Sequence, residues 1–311
     1  MSENKFKLWF LKTLYRLFHS KKYHHNKNIW HLFGVSRNKL NEITEITYKN
    51  KKLKVNTNLP NLIKQKHKKL IIVATGPSVN EIPKDFFDLE QYDFLGVNGA
   101  ISLSNIKFRF YCIIDQSFVS NRIDLVRKIV SDDEITLFCN FLSLHEILKF
   151  IDVSEINCSF KILDLVTDGI GYLFLDEKKV VNENYASDNH HWFNGYGFSS
   201  NINEFVFDYG TVAYPALQIG YFLGYKQLYF IGLDMNNFNK PRFYENDSNT
   251  LPTSLEHQLT VIQNAFNSAS HFLAEAGIKV TNLSLNSSIT SFQKESANDL
   301  IKNKSLENSN K

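Results

Sequence analysis

Short apolar runs alternate with helix-like stretches over the middle and later parts of the chain. The runs have the length of single strands and lie at 69–75, 93–97, 108–114, 135–138, 227–231 and 278–283. The helix-like stretches lie at 79–89, 120–131, 214–224 and 254–276, and Gly277 follows the last as a C-cap residue. Uninterrupted apolar runs are typical of buried parallel strands. The pattern therefore predicts an α/β fold with a doubly wound, mostly parallel, Rossmann-like sheet.

The alternation stops between about residues 140 and 208. This part includes a polar, aromatic stretch at 182–196, and we predict that it forms a lid or a small insertion subdomain. Residues 23–69 are rich in lysine and asparagine and predict an irregular or hairpin lead-in to the first strand. Residues 289–311 are predicted to form a polar tail. These boundaries leave one main domain over 70–288.

A basic amphipathic helix is predicted within residues 1–22. Its apolar residues recur at helical spacing, and most of its lysines and arginines lie elsewhere around the helix. This combination is typical of a helix that lies in a membrane interface, where each lysine near an anionic leaflet contributes about 1 kcal/mol. The alternative is a terminal helix packed on the rest of the protein. No apolar run approaches the roughly 20 residues that a membrane-spanning helix needs.

Charge and cysteine content exclude two classes of function. The net charge is +3, but residues 1–70 carry 17 Lys and Arg against 3 Asp and Glu, and the remainder carries 18 against 29. A mildly acidic main domain without a recognised nucleic-acid module argues against a nucleic-acid partner. Cys112, Cys139 and Cys158 lie in apolar settings without CxxC spacing or a His/Cys cluster. They predict buried free thiols rather than a zinc site.

Small, polar or acidic residues directly follow four of the predicted strands. These residues are Thr75-Gly76-Pro77-Ser78, Asn98-Gly99, Asp115 and Gly232-Leu233-Asp234. Ligands bind outside the carboxyl ends of the strands in open parallel sheets. One Gly-Pro-Ser alone could equally be a turn or a helix N-cap. Four such strand ends together predict a ligand cleft.

The motifs of several nucleotide sites are missing from this cleft. The sequence has no GxxxxGK[ST], and no GxGxxG follows the first strand, which argues against triphosphates and dinucleotides. No Asp-x-Asp follows a strand, so a metal-bridged nucleoside diphosphate is poorly supported, and we predict neither a metal nor another cofactor. Hydroxyl and amide donors at a helix N-terminus suit a single phosphate. A nucleoside monophosphate sugar has that charge pattern.

Two segments resemble the bacterial CMP-sialic-acid transferases: residues 71–82, with Val-Ala-Thr-Gly-Pro-Ser at their centre, and residues 209–236. A closer resemblance is to the enteric lipopolysaccharide-core transferases that add a third Kdo (3-deoxy-manno-octulosonic acid). It rests on Val97-Asn98-Gly99, Thr211-Val212-Ala213-Tyr214, Gly232-Leu233-Asp234, Pro241-Arg242-Phe243-Tyr244-Glu245 and Leu251-Pro252-Thr253-Ser254-Leu255. The resemblance covers roughly residues 70–285, and its Pro-Arg-Phe-Tyr segment is the most specific part.

The resemblance implies a GT-A-like variant of the Rossmann fold and a donor that is a CMP-linked 2-keto acid sugar. It implies roles in donor binding for the strand-end residues Thr75, Gly76, Pro77, Ser78, Asn98 and Gly99. Thr211 lies near a serine that contacts the donor in the sialyltransferases, and Asp115 stands where they have an asparagine. Tyr244 matches a tyrosine that stabilises the departing phosphate.

Three interpretations of the general base remain open. His257 is nearest to the histidine that the sialyltransferases place before the last long helix, but the Kdo-type pattern has a lysine there, so His257 is alternatively a helix-surface residue. His190 and His191 are adjacent, and one of them could face the cleft from the insertion; a polar loop is the alternative. Asp234 is the third candidate, because it ends a strand, or else it caps a turn.

Arg242 is predicted to bind the donor carboxylate. Kdo and sialic acid both carry a carboxylate beside the anomeric carbon, and a guanidinium pairs with it bidentately. The alternative is a surface arginine, but Pro241 and the Phe243-Tyr244 pair give Arg242 an apolar flank.

These inferences predict an inverting, metal-independent glycosyltransferase that moves Kdo from CMP-Kdo to a lipopolysaccharide or lipooligosaccharide inner-core acceptor. Its partners would be the CMP-sugar donor, the lipid-linked acceptor and the membrane surface, and homo-oligomerisation is left open. We expect a cytoplasmic protein, peripheral on the inner face of the inner membrane. The alternatives are a CMP-sialic-acid-dependent sialyltransferase and a non-catalytic, membrane-associated nucleotide-binding protein.

Overall fold

The N-terminal part of the chain forms a helix and a small antiparallel sheet. The structure, a computed structural model, describes residues 3–57, 59, 69–89, 91–236 and 238–302. Helix α1 spans Glu3–Phe18, and a 3-10 helix follows at Lys21–Asn28. Strands β1 (Phe33–Arg37), β2 (Ile43–Tyr48) and β3 (Lys51–Leu53) then pair in chain order. The lead-in is thus a pair of hairpins, one of the two predicted forms, although its residues 58 and 60–68 lie outside the described ranges.

Five parallel strands follow and form one part of a large sheet. They are β4 (Lys69–Val73), β5 (Tyr92–Val97), β6 (Phe110–Ile113), β7 (Thr136–Cys139) and β8 (Ser159–Ile162). The helices between them are α2 (Gln116–Asn121), α3 (Ile123–Val130) and α4 (Phe141–Phe150). Four of these strands match the predicted runs, because β-branched and aromatic residues fit a buried strand. Residues 141–162 continue the main sheet, so the predicted insertion starts later than residue 140.

The insertion consists of short strands. They are β9 (Leu165–Thr167), β10 (Ile170–Tyr172), β11 (Lys178–Val180), β12 (His190–Phe193), β13 (Tyr196–Ser199) and β14 (Val206–Phe207). Four of them form a sheet in the order β11-β10-β9-β14, and β12 and β13 form a separate hairpin.

The chain then returns to the main sheet on the other side of β4. Helix α5 (Ala213–Phe222) leads to β15 (Gln227–Ile231), and helix α6 (Leu255–Glu275) leads to β16 (Lys279–Asn282) and β17 (Gln293–Lys294). The order is β17-β16-β15-β4-β5-β6-β7-β8, and all neighbours are parallel. The predicted doubly wound α/β fold is confirmed.

Each face of the main sheet has its own apolar core. Leu70 and Ile72 of β4 belong to the core that contains α5 and α6, whereas Ile71 and Val73 belong to the core that contains α3 and α4. Successive strand residues point to opposite faces, which produces this division. The β1–β3 sheet adds Ile46 to the second core. All three cysteines are buried and free, as predicted.

Two predicted helices differ in the structure. Residues 79–89 form no α-helix; instead, two 3-10 helices at Pro77–Glu81 and Lys84–Asp88 flank Pro83. Proline lacks an N–H and disfavours helical geometry in the residue before it, and Ile82 is accordingly extended. The stretch 120–131 is divided between α2 and α3 by Arg122, whose φ of −134° lies outside the helical range.

The end of the chain is better packed than predicted. Phe292 is buried against Phe230 and Phe266, and β17 extends the sheet after the predicted start of the polar tail at residue 289. Ala297 is also buried. Residues 303–311 of the predicted tail lie outside the described residues.

Candidate active site

A cavity of about 480 Å³ opens where the chain changes direction across the main sheet. The sheet is built outward from β4 in both directions, so the switch point lies between β4 and β15, where such folds bind ligands. The two strand ends are joined there by a hydrogen bond of 2.9 Å from the Gly76 N–H to the Gly232 carbonyl. Eight of the predicted site residues line the cavity: Thr75, Gly76, Pro77, Asn98, Asp115, Thr211, Asp234 and Arg242.

Asp234 fixes the Gly-Pro-Ser turn from the neighbouring strand. Its Oδ2 accepts a 2.9 Å hydrogen bond from the Ser78 N–H, and its Oδ1 accepts one from the Ser78 hydroxyl. The Ser284 hydroxyl lies 2.8 Å from the same Ser78 oxygen. A Cβ on Gly76 would overlap the Asp234 carboxylate, which explains the glycine. Asp234 therefore caps a turn, which was the alternative to its role as base. The turn that it caps follows β4, whereas Asp234 itself follows β15.

These bonds also occupy the backbone donors that were expected to cradle a phosphate. The Gly76 N–H donates to Gly232 and the Ser78 N–H donates to Asp234. Ser78 itself is not among the residues that line the cavity. Thr75, in contrast, lines the cavity.

Asn98 presents an unsatisfied acceptor at the cavity. Its φ of +45° is a left-handed conformation that asparagine tolerates better than most residues. The buried Tyr111 hydroxyl supports this geometry, because it donates to the Asn98 carbonyl at 2.6 Å and accepts from the Ile101 N–H at 2.8 Å. Asn98 Oδ1 is buried and has no partner among the described residues. Buried polar atoms without a partner are rare, so a ligand donor is a reasonable match.

Tyr244 packs against the backbone beside Asn98. A Cβ on Gly99 would overlap the Tyr244 ring, so only glycine permits this approach. The Phe243 N–H donates to the Thr75 carbonyl at 3.3 Å, which ties the same loop to the end of β4. Burial raises the pKa of Tyr244 to about 12, so the phenol keeps its proton at neutral pH. Neither Gly99 nor Tyr244 lines the cavity directly.

A buried carboxylate holds two arginines at the edge of the cavity. Glu245 has a fully buried side chain, and its oxygens lie 3.1 Å from Arg242 Nη1 and from Arg122 Nη2. The same carboxylate accepts from the Arg242 N–H at 3.2 Å. Two guanidiniums against one carboxylate leave a net positive charge. Arg242 Nη1 also donates to the Leu251 carbonyl, whereas its Nη2 has no partner among the described residues.

Two long helices begin at the cavity. Thr211 is buried just before α5, and Val212 and Ala213 also line the wall. Ser254 and Leu255 line it at the start of α6. The N-terminus of a helix carries partial positive charge and therefore favours an anion.

The predicted histidines lie elsewhere. His257 is exposed and does not line the cavity; the next residue, Gln258, does. His190 is buried between Tyr185 and Phe207, and His191 stacks on Phe272 of α6. None of the three lines the cavity.

Asp208, Lys240 and Gln258 line the cavity but were missed in the sequence. Asp208 follows β14, whose two residues are too short to show as an apolar run. The strand-end rule would have found it if β14 had been visible. Within the described ranges, no group of three or more His, Cys, Asp or Glu side chains is arranged to hold a metal ion.

No protein-family model matches the chain, and no curated protein matches it. Among solved structures, the chain is similar to the sialyltransferase CST-II in complex with a trisaccharide acceptor and CMP, at 13% identity over 73% of this chain and 85% of that chain, with a TM-score of 0.38. It is also similar to CstII from Campylobacter jejuni in complex with cytidine-5'-monophosphate, at 16% identity over 73% and 84%, with a TM-score of 0.39. At these values the likeness is one of general fold and carries no information on donor or acceptor.

Proposed function

We propose that this protein is a CMP-sugar glycosyltransferase that transfers Kdo from CMP-Kdo to an inner-core acceptor of lipopolysaccharide or lipooligosaccharide. The observation that carries the proposal is the convergence of Thr75, Asn98, Thr211 and Arg242 on one cavity at the switch point of the sheet. These residues come from four separate segments of the chain, and each belongs to a segment that resembles the CMP-sugar transferases.

The donor phosphate would be held by side chains and helix ends. The Gly76 and Ser78 amides are occupied, so the Thr75 hydroxyl and the N-terminus of α5 are the better donors. Lys240 adds a positive charge on the cavity wall. A site with these few donors suits the single phosphate of a CMP-sugar.

The sugar carboxylate would bind Arg242. Glu245 orients the guanidinium through Nη1, and Nη2 has no hydrogen-bond partner among the described residues. The excess positive charge of the Arg122–Glu245–Arg242 network stabilises a carboxylate nearby. Kdo and sialic acid share this carboxylate, so Arg242 supports a 2-keto acid sugar without choosing between the two.

The reaction would be a direct displacement at the anomeric carbon. The acceptor oxygen forms a bond to that carbon while the bond to the CMP phosphate breaks, which inverts the configuration. The resemblance assigns stabilisation of the departing phosphate to the Tyr244 phenol, which keeps its proton but packs behind Gly99 rather than on the cavity wall, so this contact is a prediction for the donor-bound protein. CMP carries a single phosphate, so its departure does not need the metal ion that bridges the two phosphates of a nucleoside diphosphate.

A donor assay tests the proposal. The protein is incubated with CMP-Kdo or CMP-sialic acid, with and without a Kdo–lipid A acceptor, and CMP release is followed. We expect faster release from CMP-Kdo in the presence of acceptor. Faster release from CMP-sialic acid would establish the sialyltransferase alternative.

Thermal unfolding provides an independent test of the nucleotide. CMP should raise the melting temperature and UDP with Mn²⁺ should not; a hundred-fold excess over Kd corresponds to about 2.7 kcal/mol. Stabilisation by CMP without release from either donor would identify a non-catalytic nucleotide-binding protein. Equal stabilisation by UDP would contradict a monophosphate site.

A further inference from the structure

Three carboxylates and no histidine line the cavity in the described part of the chain. The carboxylates are Asp115, Asp208 and Asp234. A displacement by a sugar hydroxyl needs a group that takes the hydroxyl proton, and a carboxylate can do so. The structure allows the three to be compared by their hydrogen bonds.

Two of the carboxylates are already engaged. Both oxygens of Asp234 accept hydrogen bonds from Ser78. Asp115 caps α2, because its Oδ1 accepts from the Ser117 N–H at 2.8 Å; its Oδ2 lies 3.5 Å from the Ser117 hydroxyl, and its side chain is exposed to water. Protonation of either one would weaken bonds that shape the site.

Asp208 has a different environment. Its Oδ1 accepts from the Gly210 N–H at 2.9 Å, which orients the carboxylate. Its Oδ2 has no hydrogen-bond partner among the described residues, so it is available to a ligand. Burial raises the pKa of Asp208, and the nearby negative charges of Asp115 and Asp168 raise it further. A carboxylate in this environment takes a proton more readily than an exposed one.

Gln258 lies on the other side of Gly210. Glycine is required at position 210 for two reasons. A Cβ there would overlap the Gln258 amide, and the φ of +81° is one that other residues rarely adopt. Gln258 Oε1 is buried without a partner among the described residues, and Gln258 lines the cavity. A buried acceptor of this kind fits a donor on a ligand, such as a sugar hydroxyl. Gly210 therefore brings together an oriented carboxylate and an unsatisfied amide oxygen.

We propose that Asp208 is the general base of the transfer and that Gln258 positions the acceptor sugar beside it. This inference rests on the proposed glycosyltransferase function. The proton of the acceptor hydroxyl passes to Asp208 Oδ2 as the oxygen bonds to the anomeric carbon. The electron pair of the breaking C–O bond goes to the CMP phosphate. Asp208 returns its proton to water after the product leaves.

The first test compares the kcat of two variants, each of which lacks one carboxylate. Asp208→Asn keeps an oxygen for the Gly210 N–H but cannot take a proton, so kcat should fall about 10²–10⁴-fold. Asp133→Asn removes an exposed charge outside the cavity and should leave kcat within about threefold of wild type. Asp208→Glu should recover part of the lost rate. An unchanged CMP-induced shift in melting temperature shows that the Asp208→Asn site is folded.

Azide distinguishes a base from a structural residue. Azide is a nucleophile without a proton, so glycosyl azide formation from the donor bypasses the base. We expect Asp208→Asn and wild type to form glycosyl azide at similar rates, although transfer to the sugar acceptor is lost. Equal loss with azide would show that Asp208 only shapes the site, and a wild-type transfer rate in Asp208→Asn would also overturn its role as base. In both cases CMP release by the wild type leaves the proposed function intact, whereas no release by the wild type overturns both proposals.

Discussion

Glu245 is the residue that organises the edge of the cavity. Its buried carboxylate contacts two arginines and the backbone of the 242–251 loop. A buried charge is costly unless paired, and removal of one partner leaves the other uncompensated. Arg122 also donates to the Asn249 carbonyl, so the break between α2 and α3 is tied to the loop across the cavity.

Tyr244→Phe should separate transition-state stabilisation from donor binding. The phenol would strengthen its bond as charge grows on the phosphate, so its loss should lower kcat by about 10²-fold with little change in KM. Tyr221→Phe removes a hydroxyl from a half-buried tyrosine outside the cavity and serves as the control. Steady-state kinetics with varied donor measure both constants. Wild-type kinetics in Tyr244→Phe would assign the segment a structural role.

Arg242→Lys should affect donor binding instead. Lysine keeps the charge but cannot contact Glu245, the Leu251 carbonyl and a donor carboxylate through one planar group. We expect a rise in KM for the donor of about tenfold or more, with a smaller effect on kcat. If kcat falls and KM does not, the roles of Arg242 and Tyr244 are reversed.

Helix α1 combines an anchored end with an exposed one. Tyr15 is buried and packs on Trp30 at 5.4 Å between ring centroids. Towards its start, Phe6, Trp9 and Phe10 are each more than half exposed. Exposed aromatics among lysines match a membrane interface better than a packed terminal helix. No helix within the described residues is both long and apolar enough to span a bilayer.

The double variant Trp9→Ser, Phe10→Ser should abolish binding to anionic vesicles, because it removes the exposed apolar surface of α1. Leu40→Ser removes a residue that is 79% exposed on the β1–β2 turn and should bind vesicles as the wild type does. Co-sedimentation with phosphatidylglycerol vesicles measures both, and high salt should weaken wild-type binding. Retained binding in the double variant would place the membrane contact elsewhere.

The elements that were predicted well are those whose signal is local. The main strands are apolar on both faces, so their runs are visible in the sequence. The strands β9–β14 have two to four residues each and depend on tertiary contacts, so they leave no readable period. This is why Asp208 was missed although it follows a strand.

One position along α6 separates His257, a candidate base in the sequence, from Gln258, which lines the cavity. Successive helical residues are rotated by about 100°. Leu255 and Gln258, three positions apart, face the cavity, whereas His257 faces solvent. The start of α6 was predicted within one residue, but its rotation depends on packing against the insertion, where the Ser268 hydroxyl donates to the Tyr196 carbonyl at 2.7 Å. The sequence alone carries no signal for that rotation.

Buried and half-buried histidines make the stability of the whole molecule sensitive to acid. Burial lowers the pKa of five of them: His25, His31, His145, His190 and His191. Burial lowers the pKa of His145 to about 4. The unfolded chain binds protons near pH 6.5, where the folded chain does not, so acid favours unfolding. Stability is therefore lost as the pH falls below about 6.5 and continues to fall towards 4.

His145→Phe should flatten this dependence. The ring lies against Phe33 at 6.2 Å, so phenylalanine fits a partly apolar setting. Urea midpoints at pH 7 and pH 5 should differ less in His145→Phe than in the wild type. In the control His257→Asn, which changes an exposed histidine, the urea midpoints at pH 7 and pH 5 should differ as much as in the wild type. An unchanged difference in His145→Phe would show that His145 does not contribute.

The outer edge of β8 is covered by a segment from much earlier in the chain. The Phe160 N–H donates to the Lys54 carbonyl, and the Asn56 N–H donates to the Phe160 carbonyl, both at 2.8 Å. An open strand edge is a template for pairing with another molecule. During synthesis residues 54–56 leave the ribosome well before β8, so they are already outside when that strand emerges. Each newly made chain therefore carries with it the segment that covers the β8 edge of its sheet.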